Sequence, residues 1–558
     1  MAEYLKLKKS NCKNCYKCIR YCPVKSIRFS DDQANIIAED CILCGRCFLV
    51  CPQNAKEIRN DVNIAKELID SGTPVYISLA PSFISNYSDV SFSSIILALK
   101  KLGFSGVEET AVGATMVAKQ YEELVTDGNH DVIISTCCHT VNLLIQKYYP
   151  EVIVNMAPVI SPMQAHCRDL KRRYQDIKTV FVGPCISKKA EAEYSNNDVD
   201  CVLTFEELSS WLKEENIEFE QTDETVAPFR ARLFPTTGGI LKTMTGKHPD
   251  YTYIAVDGID SCINAINDIK SGNLHKCFIE MSACQGSCIN GPAIDKNNRT
   301  PIRDYITITD FSGEDNLILP EAALNKLTKE FLSLEPRKVF FADSAIEEIL
   351  LEMGKTKPEH ELNCGSCGYN TCREKAKAVL EGKANLMMCL PYLKEKAEDF
   401  SDTIINHTPN AILVVNENFE VQLVNKAACE LLKINSPSEI LGDQVVRVLD
   451  PTPLITAYQY HENIYEKKIY LAEYQKYVEQ TVIYDRNYHI IICIMRDVTA
   501  ETIQFENRDK LNRKTIEITD RVIEKQMRTV QEIASLLGET TAETKIALTK
   551  LKESLYDR

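Results

Sequence analysis

Between Pro74 and about Phe341, short apolar runs alternate with stretches whose apolar residues recur at helical spacing. Val75–Leu79, Val132–Ser135, Val180–Val182 and Cys277–Glu280 read as buried strands, and the amphipathic segments between them as helices. Such alternation predicts an α/β domain, a class that gathers ligands in the loops at its strand ends. The pattern changes from about Ser401, which places a boundary near Phe400. Asn410–Asn425 reads as two strands around an Asn-rich turn, a helix holding Ala427, Ala428 and Leu431 follows, and later strands end in Ile491–Met495 and Asp497–Thr499. In the last fifty residues Ile516, Ile523, Val530 and Leu537 recur at heptad spacing with charges between them. That is the pattern of an interacting helix, so a homodimer is expected, the alternative being one helix folded back on the preceding domain. Nowhere do about eighteen apolar residues run together, and Met1–Ser10 carries lysines with no apolar stretch behind them. Neither a membrane span nor secretion is expected.

Composition narrows the class. The chain has 558 residues, room for roughly three to five domains. A net charge of −15 spread along it argues against a nucleic-acid partner, which needs a basic face. The 23 cysteines fall in tight clusters, unlike the spread disulfide frameworks of small secreted domains. Clustered cysteines in a reducing cytoplasm, the expected location, point to metal.

Cys12, Cys15, Cys18 and Cys22 precede Pro23, and Cys41, Cys44, Cys47 and Cys51 precede Pro52. This is the bacterial ferredoxin run written twice, in which three thiolates of one run and the fourth of the other hold each cubane. One cluster is then Cys12, Cys15, Cys18 and Cys51, the other Cys41, Cys44, Cys47 and Cys22. Zinc explains neither the third cysteine of each triplet nor the prolines. Two adjacent clusters make a wire, so electrons come from or go to something further along.

Three later segments carry chemistry: Ser135-Thr136-Cys137-Cys138-His139, Gly183 to Glu191 around Cys185 and Lys188, and Glu280 to Cys288 around Cys284. A lysine three residues beyond a cluster thiolate is a natural donor to an anionic ligand. In order and separation, and with Ser161-Pro162 and Val199–Leu208, these segments resemble the signatures of the iron-only ([FeFe]) hydrogenases over roughly residues 1–345. The resemblance implies that Cys138, Cys185, Cys284 and Cys288 bind an H-cluster, a cubane joined through Cys288 to a two-iron subcluster with CO and cyanide ligands. It makes Lys188 a donor to a diatomic ligand, Glu191 its holder and Cys137 a proton relay, a task suited to a thiol whose pKa its surroundings can move. The reaction implied is heterolytic H2 cleavage and its reverse.

The pattern also departs from the family. His139 stands for the proline after the paired cysteines, Gly183 and Ser282 for methionines that pack on the two-iron part, and Ala157 for the serine of the proton path. Glu122 and Glu123 do not align with that path's acids. Slow turnover follows from the missing hydroxyl. His139 as a relay is one reading, a plain hydrogen-bonding residue the other. Cys167, Cys201, Cys262 and Cys277 show no ligand spacing and read as buried small hydrophobes.

Cys364, Cys367, Cys372 and Cys389, with glycines that let backbone wrap closely, resemble a small four-iron domain, although four thiolates satisfy zinc as well. The segment after Phe400 resembles a PAS domain, with Cys429 and Cys493 in its core.

The expected layout is therefore multidomain. It comprises a ferredoxin-like 2[4Fe-4S] domain (1–62), an α/β H-cluster domain (70–345), a four-cysteine [4Fe-4S] domain (355–398), an α+β PAS-like domain (400–505) and a C-terminal amphipathic helix (506–558). This order resembles the sensory, PAS-containing hydrogenases and implies reversible H2 oxidation with relay of H2 or redox state to the PAS domain. The partners implied are H2 and protons, ferredoxin or another redox protein, maturation enzymes and a downstream signalling protein. A ferredoxin-linked hydrogenase whose tail only dimerises, and an iron-sulfur electron-transfer or assembly scaffold without the two-iron part, are the alternatives.

Overall fold

The computed structural model describes the chain apart from residues 1–3, 9–10, 88–89, 195–196, 221, 223–226, 295–299, 325–326, 337–338, 538–540 and 557–558. It divides into two compact units, Met1–Tyr392 and Leu393–Arg558.

In the first unit Leu5–Leu7 pairs antiparallel with Lys56–Ile58, and Ile27–Ser30 with Gln33–Ile36. These two small ribbons bracket the doubled cysteine run. The central domain has two parallel sheets. One has the strand order Gly106–Glu109, Val75–Leu79, Lys178–Gly183, Cys201–Thr204, and the other the order Thr252–Asp257, Cys277–Ser282, Val132–Ile134. All four strands read from the apolar pattern are present. Three more strands complete the sheets: Gly106–Glu109, which has no apolar run, and Cys201–Thr204 and Thr252–Asp257, whose runs are short. Ile77, Leu79, Val180, Val182 and Leu203 are buried together in the first sheet's core, which is why parallel strands show continuous apolar runs. Thr204 and Glu207 form a reciprocal capping box on the helix Phe205–Glu214. Glu207 also accepts the Asp61 N–H (2.6 Å) and, with Asp61, the ammonium of fully buried Lys189 (2.9 Å to each). That charge cluster ties the end of the dicluster segment to the central domain.

The second unit has a five-stranded antiparallel sheet ordered Val421–Val424, Ala411–Asn416, Ile490–Asp497, Lys476–Asp485, Ile464–Leu471. Alternate residues Leu413, Val415, Val478, Val482, Ile491 and Met495 face a core that also holds Cys429 and Cys493. Buried Asn425 caps the helix Lys426–Leu431 and donates to the carbonyls of Ile405 and Asn410.

The boundary expected near Phe400 lies a few residues past Tyr392/Leu393, where the units part, and inside the helix Leu390–His407. One expectation is corrected. The tail is two helices, Thr499–Leu537 and Thr541–Tyr556, packed on each other, with Lys552 and Asp520 paired at 3.0 Å. Ile516, Ile523 and Val530 are half-buried, while Leu511, Ile518 and Val522 are exposed; the side chain of Leu537 lies outside the described residues.

Candidate functional site

The parallel sheets bring the three signature segments to neighbouring strand ends. Cys137 and Cys138 follow Val132–Ile134, Cys185 follows Lys178–Gly183, and Cys284 follows Cys277–Ser282. The thiols of Cys138, Cys185, Cys284 and Cys288 converge closely enough to perturb one another. Burial, then Cys185, Cys138 and Cys288, pushes the Cys284 thiol far up, and Cys185 rises to about 11 through burial and Cys138. Burial also raises Cys288, so Cys185, Cys284 and Cys288 are poor acids alone and would be thiolates only when bound to a cationic iron centre. The Cys284–Cys288 loop is braced by Asp257, whose Oδ2 accepts the Thr237 hydroxyl (2.5 Å) and the Gly286 N–H (3.0 Å).

Lys188 stands beside this quartet. Its Nζ donates to the Cys137 carbonyl (3.0 Å) and to the buried carboxylate of Glu191, so two of three ammonium protons are placed and one remains for a ligand in the site. The position left small by Gly183 is already filled, since a Cβ there would lie 2.7 Å from the Phe181 ring and 3.2 Å from Ala80.

Cys137 is half-buried, and desolvation raises its thiol. Its Sγ lies 3.1 Å from the hydroxyl of Tyr121, a fully buried residue of the helix Ala111–Thr126. Tyr121 accepts the Thr136 N–H (2.9 Å), and its hydroxyl is 3.3 Å from Thr136 Oγ1. The Thr136 hydroxyl donates in turn to the carbonyls of Val159 (2.9 Å) or Ala157 (3.1 Å). The chain from Cys137 thus ends on carbonyl oxygens. Glu122 accepts the N–H groups of Thr245 and Gly246 on the exposed side of that helix, and Glu123 pairs with Gln120 (2.8 Å). Neither continues the route. A buried acid the sequence reading passed over is Glu280, whose carboxylate accepts the N–H groups of Gly238 (3.0 Å) and Leu241 (3.1 Å). Burial pushes it up to about 7, above the opposing pull of those amides.

His139 is buried with neither ring nitrogen hydrogen-bonded, and burial lowers it to about 4, so the ring is neutral. It lines a cavity of about 720 Å³ with Cys41, Leu143, Lys147 and Lys329, and makes no proton chain with Cys137.

Cys22, Cys41, Cys44 and Cys47 line one small cavity, the cross-run grouping expected of the second cubane. Backbone N–H groups point at these sulfurs, Ser26 to Cys22 and Leu43 to Cys41, each at 3.3 Å. Cys12 and Cys15 lie near Cys18 and add to the burial that raises it, and Cys51 Sγ accepts the Ala55 N–H (3.3 Å). Cys364, Cys367, Cys372 and Cys389 line a third cavity. Among the described residues no three ligating side chains meet at single-ion distance. Cys167, Cys201, Cys262 and Cys277 are buried.

Fold and clustered cysteines point to an iron-sulfur protein with an α/β central domain. In the comparisons, separate parts of the chain are similar to iron-only hydrogenases, four-iron cluster domains and PAS domains. Residues 73–292 match the model of the iron only hydrogenase large subunit, C-terminal domain. Residues 4–52 match a 4Fe-4S dicluster domain, 361–391 an Fe-S cluster family and 399–498 the PAS fold. The chain is 25% identical over 282 residues to iron hydrogenase 1 of Clostridium pasteurianum, covering 39% of this chain and 49% of that protein. It is 25% identical over 224 residues to the cytosolic Fe-S cluster assembly factor NAR1 of Scheffersomyces stipitis, covering 34% and 40%. It therefore spans half or less of these relatives' length. A solved [FeFe]-hydrogenase studied for stepwise H-cluster assembly aligns with 14% identity and a TM-score of 0.39 over 49% of this chain and 99% of that one. No helix among the described residues is long and apolar enough to cross a membrane.

Proposed function

We propose that this protein binds an H-cluster at Cys138, Cys185, Cys284 and Cys288, performs slow reversible H2 oxidation, and relays the resulting redox state to its PAS domain. The observation carrying this is the convergence of those four thiols from three separate strand ends, with the Lys188–Glu191 pair against them. When bound, the cofactor supplies the iron site at which H2 is split heterolytically or protons are reduced. The chain's own groups do the rest. Glu191 and the Cys137 carbonyl orient the Lys188 ammonium, which presents its remaining proton to an anionic ligand. Cys137 Sγ takes or gives the proton, and Tyr121 Oη is its nearest partner. Since the hydroxyl chain stops at the carbonyls of Val159 and Ala157, which pass no proton on, proton supply throttles turnover, as suits a sensor. The three further quartets hold [4Fe-4S] clusters that exchange electrons with ferredoxin or a similar carrier. Maturation enzymes supply the two-iron part, and a dimer passes the signal to a downstream protein.

The assembly-scaffold reading draws on the similarity to NAR1 and on the interrupted proton chain. Anaerobic purification after co-expression with maturation enzymes, followed by infrared spectroscopy under argon and then H2, separates the two. CO and cyanide bands that shift under H2 are expected; their absence after competent maturation establishes the scaffold. Hydrogen-exchange protection in the PAS domain that changes with H2 tests the relay.

A further inference from the structure

The Cys22 quartet touches more of the molecule than a link in a linear wire requires. Toward the catalytic quartet, Cys44 packs with Cys138 and Ala283 against one buried core. Gly45 explains the approach: its φ is +72°, and a Cβ there would sit 2.6 Å from the Pro292 side chain. Only a residue without a side chain lets the cysteine loop lie against the central domain.

A second face meets the Cys364 quartet. Lys25, three residues after Cys22, is half-buried, and its Nζ donates to the carbonyls of Ile19 (3.2 Å), Arg20 (3.1 Å) and Gly368 (2.9 Å). Its charge is felt with both Cys22 and Cys367, one thiol from each quartet. Arg20 adds bonds to the carbonyls of Gly365 (3.2 Å) and Ser366 (3.1 Å), and Ile19, Cys22, Cys367 and Tyr369 share one buried layer. On a third face, buried Lys56 bonds the carbonyl of Ala34, and Ala34 shares one buried layer with Cys18 and Cys47, again one thiol from each of two quartets.

We infer that the Cys22 quartet is the electron junction of the protein, and that Lys25 and Lys56 are positioning cations, each set between it and one neighbouring cluster. Clusters held by four thiolates are anionic, and adding an electron to one raises the cost of adding an electron to the next across a dry gap. An ammonium between them offsets that repulsion. One electron leaves one cluster and enters its neighbour, and no bond forms or breaks. The Cys364 quartet, whose last ligand Cys389 immediately precedes the helix Leu390–His407, thereby exchanges electrons with the junction through the layer that Lys25 occupies.

This inference rests on the quartets holding four-iron clusters and not on H2 chemistry. The test uses the full chain loaded anaerobically with iron and sulfide, its iron counted, and followed by redox titration with electron paramagnetic resonance. Lys25→Met should lower the midpoints of two clusters, and Lys25→Arg should restore them. Lys56→Met should lower a different pair sharing one member, the junction. In the otherwise unaltered chain, the reduced junction signal should show spin–spin splitting, part of which is lost in Cys364→Ala while the part due to the Cys12 quartet stays. Unmoved midpoints in both Met variants, or splitting identical with and without Cys364→Ala, would overturn it. Should Lys25→Met lose iron, the Cys364→Ala comparison still decides. Absence of CO and cyanide bands in the infrared experiment leaves this test untouched.

Discussion

Tyr121 is the residue on which the account of proton supply turns, and Tyr121→Phe isolates it. The ring packs against Phe278 with centroids 5.3 Å apart, and phenylalanine keeps that contact. What disappears is the hydroxyl that accepts the Thr136 N–H at 2.9 Å and lies 3.1 Å from Cys137 Sγ. A buried amide left without an acceptor costs about 1–3 kcal/mol. Taking about 2 kcal/mol, the Thr136 amide should exchange roughly 30-fold faster, measurable by hydrogen exchange with mass spectrometry. Turnover should behave differently. Because the chain beyond Tyr121 ends on carbonyl oxygens, its hydroxyl is no step of a through-route, and H2 uptake in the matured protein should change by less than about 10-fold. Cys137→Ala, by contrast, removes the proton-transferring group and should cost about 100-fold or more. The reasoning fails if Tyr121→Phe abolishes turnover as completely as Cys137→Ala while iron content and infrared bands are unchanged.

Three further outcomes are expected. Glu280 is held at about 7 in the folded chain against an ordinary value of 4.5, so between those values the folded state binds the proton more tightly than the unfolded one. Stability is then fully present below pH 4.5 and falls as pH rises through 7, by at most about 3 kcal/mol; thermal unfolding scans across that window should show the decline, and Glu280→Gln should flatten it. Lys189→Met leaves buried Glu207 without a cation, while Asp61 keeps Arg59, and should destabilise the first unit by about 3–5 kcal/mol in denaturant titrations, whereas a change below about 1 kcal/mol would mean the Lys189 charge is not needed there. Cys389→Ala should lower bound iron by about four per chain without any loss of zinc, as measured by plasma emission; loss of zinc instead would reassign the quartet.

The residues that were legible beforehand owe it to local geometry. A cubane takes three thiolates from one short run, so Cys12–Cys22, Cys41–Cys51 and Cys364–Cys372 announce themselves by spacing. Buried parallel strands need apolar side chains on both faces, so Val75–Leu79 and Val180–Val182 stand out as runs. The change of composition near Phe400 coincides with the start of the PAS match at 399, although the helix Leu390–His407 runs through it.

Legible from sequence alone were the candidate parts: the clustered cysteines, the Lys188–Glu191 pair three residues apart, and the order of the segments. Tertiary structure alone decided how those parts communicate. Tyr121 meets Cys137 from a helix sixteen residues away, Asp257 meets Gly286 across a sheet, and Lys25 meets Gly368 across 343 residues. Local motifs survive in sequence because their ligand spacing is a property of a few consecutive residues. Contacts between distant segments leave no such spacing, since packing fixes them only once the chain has folded.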